Sequence, residues 1–142
     1  MTPRDCLVSL VLALLPAVCG CASYKTAPVS GRITLDGQPL ANATVTFVPE
    51  AGAASQDPMP SSVGLTGEDG RYSLVLNDGG KPTGAVAGKH KVLIFLGAQA
   101  AANDVEPTFH KQLPAKYNRK SELECEVPAR GRDDADFDLH SQ

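Results

Sequence analysis

The chain has no tryptophan and few tyrosines or phenylalanines, which argues against an aromatic platform for stacking bases or sugars. It also lacks an excess of positive charge: the formal net charge is −3, and because Arg4 offsets Asp5 the value survives removal of the N-terminal segment. A protein of that sign gains nothing from counterion release on a phosphate backbone, so nucleic acid is not expected as a partner. No apolar run beyond the N-terminal region is long enough to span a bilayer. His90, His110 and His140 are far apart, and there is no His-x-His, Cys-x-x-Cys or His-Glu-x-x-His spacing. No metal site and no cofactor are therefore expected. A helical period and internal repeats are missing as well, which leaves an all-β reading of the part after the N-terminal segment.

What is present begins with an address. Met1 to Asp5 hold one Arg, and Leu7 to Leu15 form an apolar run, the layout of a secretory signal and too short to cross ~30 Å of hydrocarbon. Val18-Cys19-Gly20-Cys21 resembles the bacterial lipobox, with an aliphatic residue at −3, a small residue at −1 and the cysteine to be modified. Val18 would fit poorly in the small-residue pocket ahead of Cys19, whereas Gly20 fits ahead of Cys21. The expectation is a signal peptide over 1–20, lipidation (palmitate among the acyl chains) at Cys21, a tether over 21–28 and one domain over 29–142. The rival is plain secretory cleavage after Ala22 or nearby. Several acyl chains, at about 0.8 kcal/mol per buried methylene, anchor far more firmly than one. Ala22-Ser23 lacks the Asp that retains some lipoproteins at the inner membrane, which favours the outer one. With Cys6, Cys19 and Cys21 assigned to this segment, Cys125 is left alone, so the domain has no internal disulfide.

The 142-residue length suits one domain plus a processing segment. Period-two alternation runs through it. Val29, Ile33 and Leu35 oppose Ser30, Arg32 and Thr34; Asp36-Gly37 marks a turn; Ala43, Val45 and Phe47 alternate with Thr44 and Thr46 up to Pro49. An exposed loop is expected over Ala51–Ser61. Val63 and Leu65 precede the turn Gly67-Glu68-Asp69-Gly70, and Tyr72, Leu74 and Leu76 follow it. Lys89 to Leu96 is the strongest strand, apolar on both faces in its second half. Gly97 to Ser121 exceeds the roughly fifteen residues usual for an unstructured loop, with Ala98–Asn103 a possible helical turn. Leu123, Cys125 and Val127 alternate with glutamates, and Ala135, Phe137 and Leu139 with aspartates. Seven short strands with turns at this spacing predict a β-sandwich.

The arrangement Val29-Ser30-Gly31, Asp36-Gly37, Pro39-Leu40, Ala43-Thr44-Val45 and Thr66-Gly67-Glu68-Asp69-Gly70-Arg71-Tyr72 resembles the carboxypeptidase regulatory-like family of transthyretin-like domains. Leu113-Pro114-Ala115-Lys116-Tyr117-Asn118 and Phe137-Asp138-Leu139 are similar to small bacterial lipoproteins carrying that domain. The resemblance covers about Val29 to Leu139 and implies a seven-stranded Greek-key β-sandwich, mostly without catalysis of its own. Two enzyme groups share the fold. Intradiol dioxygenases hold iron with two Tyr and a His-x-His pair, absent here. Hydroxyisourate hydrolases end in Tyr-Arg-Gly-Ser, whereas this chain ends Leu139-His140-Ser141-Gln142.

No catalytic residue is therefore assigned. The three histidines are expected at the surface, and Cys125, between Leu123 and Val127, in the core as an inert thiol. Glu122, Glu124 and Glu126 would share a surface with Asp134, Asp136 and Asp138 if their strands formed a hairpin. Neutralisation by Lys89, Lys91, Arg119 or Lys120, a divalent cation, or placement in different sheets would each resolve that repulsion. Lys116, Tyr117 and Asn118 form a possible binding loop, with a Tyr packed under the loop and pinned by its hydroxyl as the alternative. The functional expectation is a non-enzymatic cell-envelope lipoprotein, attached to the membrane by its lipid, whose sandwich meets an envelope protein or glycan. The alternatives are a carbohydrate- or peptide-binding module using the 97–121 loop, and a transthyretin-like hydrolase. Grouping of His90, His110 and Arg71 in one cleft would mark the hydrolase.

Overall fold

The computed structural model describes residues 24–50, 59–78, 83–97 and 113–142. The signal segment, Cys21, His110 and the expected helical turn at Ala98–Asn103 lie outside the described residues. Eleven strand segments follow one another: β1 (Thr26–Ala27), β2 (Ser30–Leu35), β3 (Gln38–Pro39), β4 (Ala43–Pro49), β5 (Ser62–Leu65), β6 (Arg71–Ser73), β7 (Val75–Leu76), β8 (Ala85–Val86), β9 (Gly88–Leu96), β10 (Leu123–Val127) and β11 (Phe137–Leu139). The helical content among the described residues is one 3₁₀ turn, Ala115–Tyr117.

Two sheets dominate. One has five strands in the order β10-β9-β4-β5-β7; the other runs β11-β2-β3, with β6 also paired to β2, and a small β1-β8 pair completes the set. Local chemistry sets the turns. Asp36 and Gly37 both take positive φ, 50° and 81°, the twist-compatible geometry of a two-residue hairpin, and they join Leu35 to its partner Gln38. The alternating apolar positions meet between the sheets: Ile33, Leu35 and Leu139 on one side; Val45, Phe47, Val92, Ile94, Cys125 and Val127 on the other; Tyr72 and Leu74 among them. Each such aliphatic or aromatic side chain contributes roughly 1.5–3 kcal/mol by leaving water. The Phe47 and Phe137 rings meet edge-on at 6.3 Å, with Phe137 partly buried against the core. The described residues are thus all-β, with several sheets and no closed barrel, consistent with a β-sandwich.

Three local expectations are corrected, and the seven expected runs appear as eleven segments among the described residues because short pieces extend the runs and one run divides. Leu74 gives its N–H to Val29, so β6 stays with β2 while β7 pairs with β5 in the other sheet. Thr26–Ala27, placed in the tether from sequence, pair with Val86 and Ala85, and Ala27 is buried; the folded part therefore begins earlier than Val29. The last strand starts at Phe137 rather than Ala135 and runs parallel to β2, so it forms no hairpin with β10. His90 is buried, not exposed, because period two places it in line with Val92 and Ile94.

Candidate functional site

The segment that carries Lys116, Tyr117 and Asn118 is fastened down. Pro114 leads into the 3₁₀ turn, and Tyr117 is buried, its hydroxyl accepting the His140 N–H at 3.0 Å. The Lys116 ammonium sits 5.0 Å over the Tyr117 ring and donates to the Gln142 carbonyl. Asn118 donates its side-chain amide to the Leu113 and Pro114 carbonyls, while Ser121 donates its hydroxyl to the Val92 carbonyl. The three residues named from sequence stand together, but their polar atoms are largely spent on holding 113–121 to β9 and the C-terminal residues.

His90, Cys125 and Arg132 form a second cluster. His90 and Cys125 are direct partners across β9 and β10, and the Phe47 ring lies 5.7 Å from the imidazole. His90 Nδ1 bonds the Gly88 carbonyl at 3.0 Å, whereas buried Nε2 has no partner among the described residues. Burial pushes this imidazole below its ordinary value, against the weaker pull of the Gly88 carbonyl. Burial likewise raises the Cys125 thiol, opposed by Arg132, whose Nη1 lies 3.9 Å from Sγ. That basic neighbour was not visible in sequence, since it comes from the segment after β10. His90 is enclosed beneath the five-stranded sheet and Arg71 is exposed on β6; no described hydrogen bond or ion pair joins them.

The acidic stripes separate. Glu124 and Glu126 lie directly opposite Lys91 and Lys89 in the β10–β9 ladder, while the aspartates belong to the other sheet's edge. Asp134 pairs with Arg132 at 2.7 Å, Asp136 accepts the Arg32 backbone N–H at 2.7 Å, and Asp138 accepts the Thr34 hydroxyl. Of the three resolutions weighed from sequence, placement of the two stripes apart holds, and the lysines stand in register opposite the glutamates without an ion pair among the described residues.

A groove, missed from sequence, crosses the outer face of β2 and β6. In register, Ser30 faces Ser73 and Arg32 faces Arg71, and all four point away from the core because their neighbours Gly31, Tyr72 and Leu74 point in. The segment 132–136 forms the opposite wall. It can approach so closely only because residue 31 is glycine: a Cβ there would fall on the Ala135 carbonyl. Tyr72 reaches from below and donates its hydroxyl to that same carbonyl at 2.6 Å. Two adjoining hollows result, of about 520 and 530 Å³, which share Ser30, Ser73 and Asp133. The first is lined by Arg32, Arg71, Asp134, Asp136 and Leu65; the second by Pro28, Val29, Val75, Arg130 and Arg132. Arg32 donates Nε to the Asp69 carbonyl, and Arg71 lies 3.7 Å from the Asp69 carboxylate. The alternation of Ser30 with Gly31 and Arg32, and of Arg71 with Tyr72 and Ser73, was the available signal; the β2–β6 pairing that joins them was not.

No family model matches the chain, and no curated protein matches it. Among solved structures, it resembles a DUF3823 family protein from Parabacteroides merdae ATCC 43184, at 15% identity and a TM-score of 0.37 over 83% of this chain. The match spans 46% of that chain's length.

Proposed function

We propose that the chain is an exported, lipid-anchored protein of the bacterial cell envelope, without catalysis of its own, that presents a transthyretin-like sandwich of the carboxypeptidase regulatory-like kind as a binding or structural module. The shorter strand pieces are read as extensions and interruptions of seven runs in Greek-key order. The supporting observation is the spacing between anchor and fold. The lipobox-like Val18-Cys19-Gly20-Cys21 ends five positions before Thr26, where β1 begins. Five residues reach at most about 18 Å fully extended, so acylation at Cys21 would hold the sandwich against the bilayer surface. The hydrolase alternative draws no support from the enclosed His90 and the solvent-facing Arg71.

The test is intact mass spectrometry of the mature N-terminus from membranes, beside fractionation of Cys21→Ser. Acyl-modified Cys21 in the wild type, with loss of mature membrane-bound protein in the variant, is expected. An unmodified N-terminus at or after Ala22, in the soluble fraction, would overturn the proposal.

A further inference from the structure

From the groove over Gly31 we infer that it binds a short peptide through its free C-terminal carboxylate, with an apolar side chain beside it and a cationic group towards Asp133. The inference deepens the binding-module reading but does not depend on the anchor. Three independent features of the groove point the same way.

The first is the arginine pair. Arg32 and Arg71 stand opposite each other on neighbouring strands, and among the described residues the only partners of their side chains belong to Asp69. Both side chains line the first hollow, and paired guanidinium groups suit a carboxylate because each offers parallel donors. The second is the aspartate between the hollows. Asp134 is held by Arg132 and Asp136 by the Arg32 backbone, whereas Asp133, common to both hollows, has no hydrogen bond or ion pair among the described residues. A ligand ammonium or guanidinium group would complete it. The third is apolar exposure. Val48, Leu65 and Val75 are the exposed large hydrophobics of the described residues, and Leu65 and Val75 each line one of these hollows. A single exposed apolar residue needs no explanation; two on one polar groove supply contact area for an aliphatic side chain.

The same features disfavour a sugar. The groove's one aromatic residue, Tyr72, is buried with its hydroxyl already donated, so no ring is open for stacking. A divalent cation is disfavoured as well, since two of the three aspartates are engaged and no cluster with metal-holding composition occurs among the described residues.

The experiment is titration of the full-length protein in detergent micelles with the tripeptide Lys-Ala-Val as free acid and as C-terminal amide, read by calorimetry and by NMR shift mapping. Saturable binding of the free acid is expected, weakened at least tenfold by amidation and at least tenfold by Arg71→Gln, with shifts centred on Ser30, Ser73 and Val75. Val75→Ser should weaken binding severalfold, and the melting temperature of both variants should stay near wild type, which separates a lost contact from a lost fold. Equal affinity for acid and amide, no saturable binding, or shifts centred on Lys116–Asn118 would each overturn the inference. An unmodified N-terminus in a protein that still binds the peptide would sink the anchor proposal alone.

Discussion

At the scale of single residues, the informative positions are those where burial and polarity conflict. His90 is 1% exposed, with no partner for Nε2 among the described residues, and burial holds its folded pKa below the ordinary value. The unfolded chain therefore takes up the proton first as pH falls. This group's stabilisation is present above about pH 6.5 and is lost as pH drops through that value towards the lower folded one. The urea midpoint should accordingly decline from pH 7 to pH 5 in the wild type and decline less in His90→Leu; parallel declines would show that His90 is not the group responsible. Cys125 combines burial with a raised pKa, so a maleimide should label it slowly in the native protein and rapidly in denaturant. Gly31→Ala would drive a methyl group into the Ala135 carbonyl and should cost at least 1–3 kcal/mol on the scale of about that size for overpacking. Tyr72→Phe leaves the same carbonyl without its donor, at about 1–3 kcal/mol. Chemical denaturation measures both, and a neutral Gly31→Ala would mean the 132–136 wall is free to move.

Among elements, β9 and β10 show how charge is managed on a sheet edge. The Lys91–Glu124 and Lys89–Glu126 pairs face one another, so Lys91→Glu should destabilise by roughly 0.2–1 kcal/mol, and the loss should shrink in high salt. Chelator should leave the melting temperature unchanged, because the glutamates and aspartates never meet as one ligand set. The residues that line the interior were legible before any coordinates: Ile33, Val45, Phe47, Val92, Ile94 and Cys125 all follow from alternation. Pairing was not. Alternation tells a strand's inside from its outside but says nothing about its neighbour, and β11 joins β2 in parallel, across a separation that turn residues do not encode. His90 was misplaced for a related reason: its polarity outweighed its position in the Val92–Ile94 row. The groove stayed hidden because Arg32 and Arg71 lie on separate runs, each reading as an ordinary solvated position until β2 and β6 are brought together.

For the whole molecule, the closing contact is β2 with β11, supported by Thr34 to Asp138, Ser141 to Asp36 and the edge-on contact of Phe137 with Phe47. Deleting 137–142 should therefore abolish cooperative thermal unfolding rather than lower its midpoint by a few degrees, since it exposes one edge of β2 and uncovers the core at Leu139. A sharp transition near the wild-type temperature would contradict that. The same closure has a consequence for the order of assembly. Phe137–Leu139 pair with Ile33–Leu35 from far along the sequence, and non-local contacts of this kind form slowly. Until β11 docks, one edge of β2 keeps its backbone donors and acceptors open to any passing strand, so the slowest step of assembly is also the one in which the molecule is most exposed to mispairing.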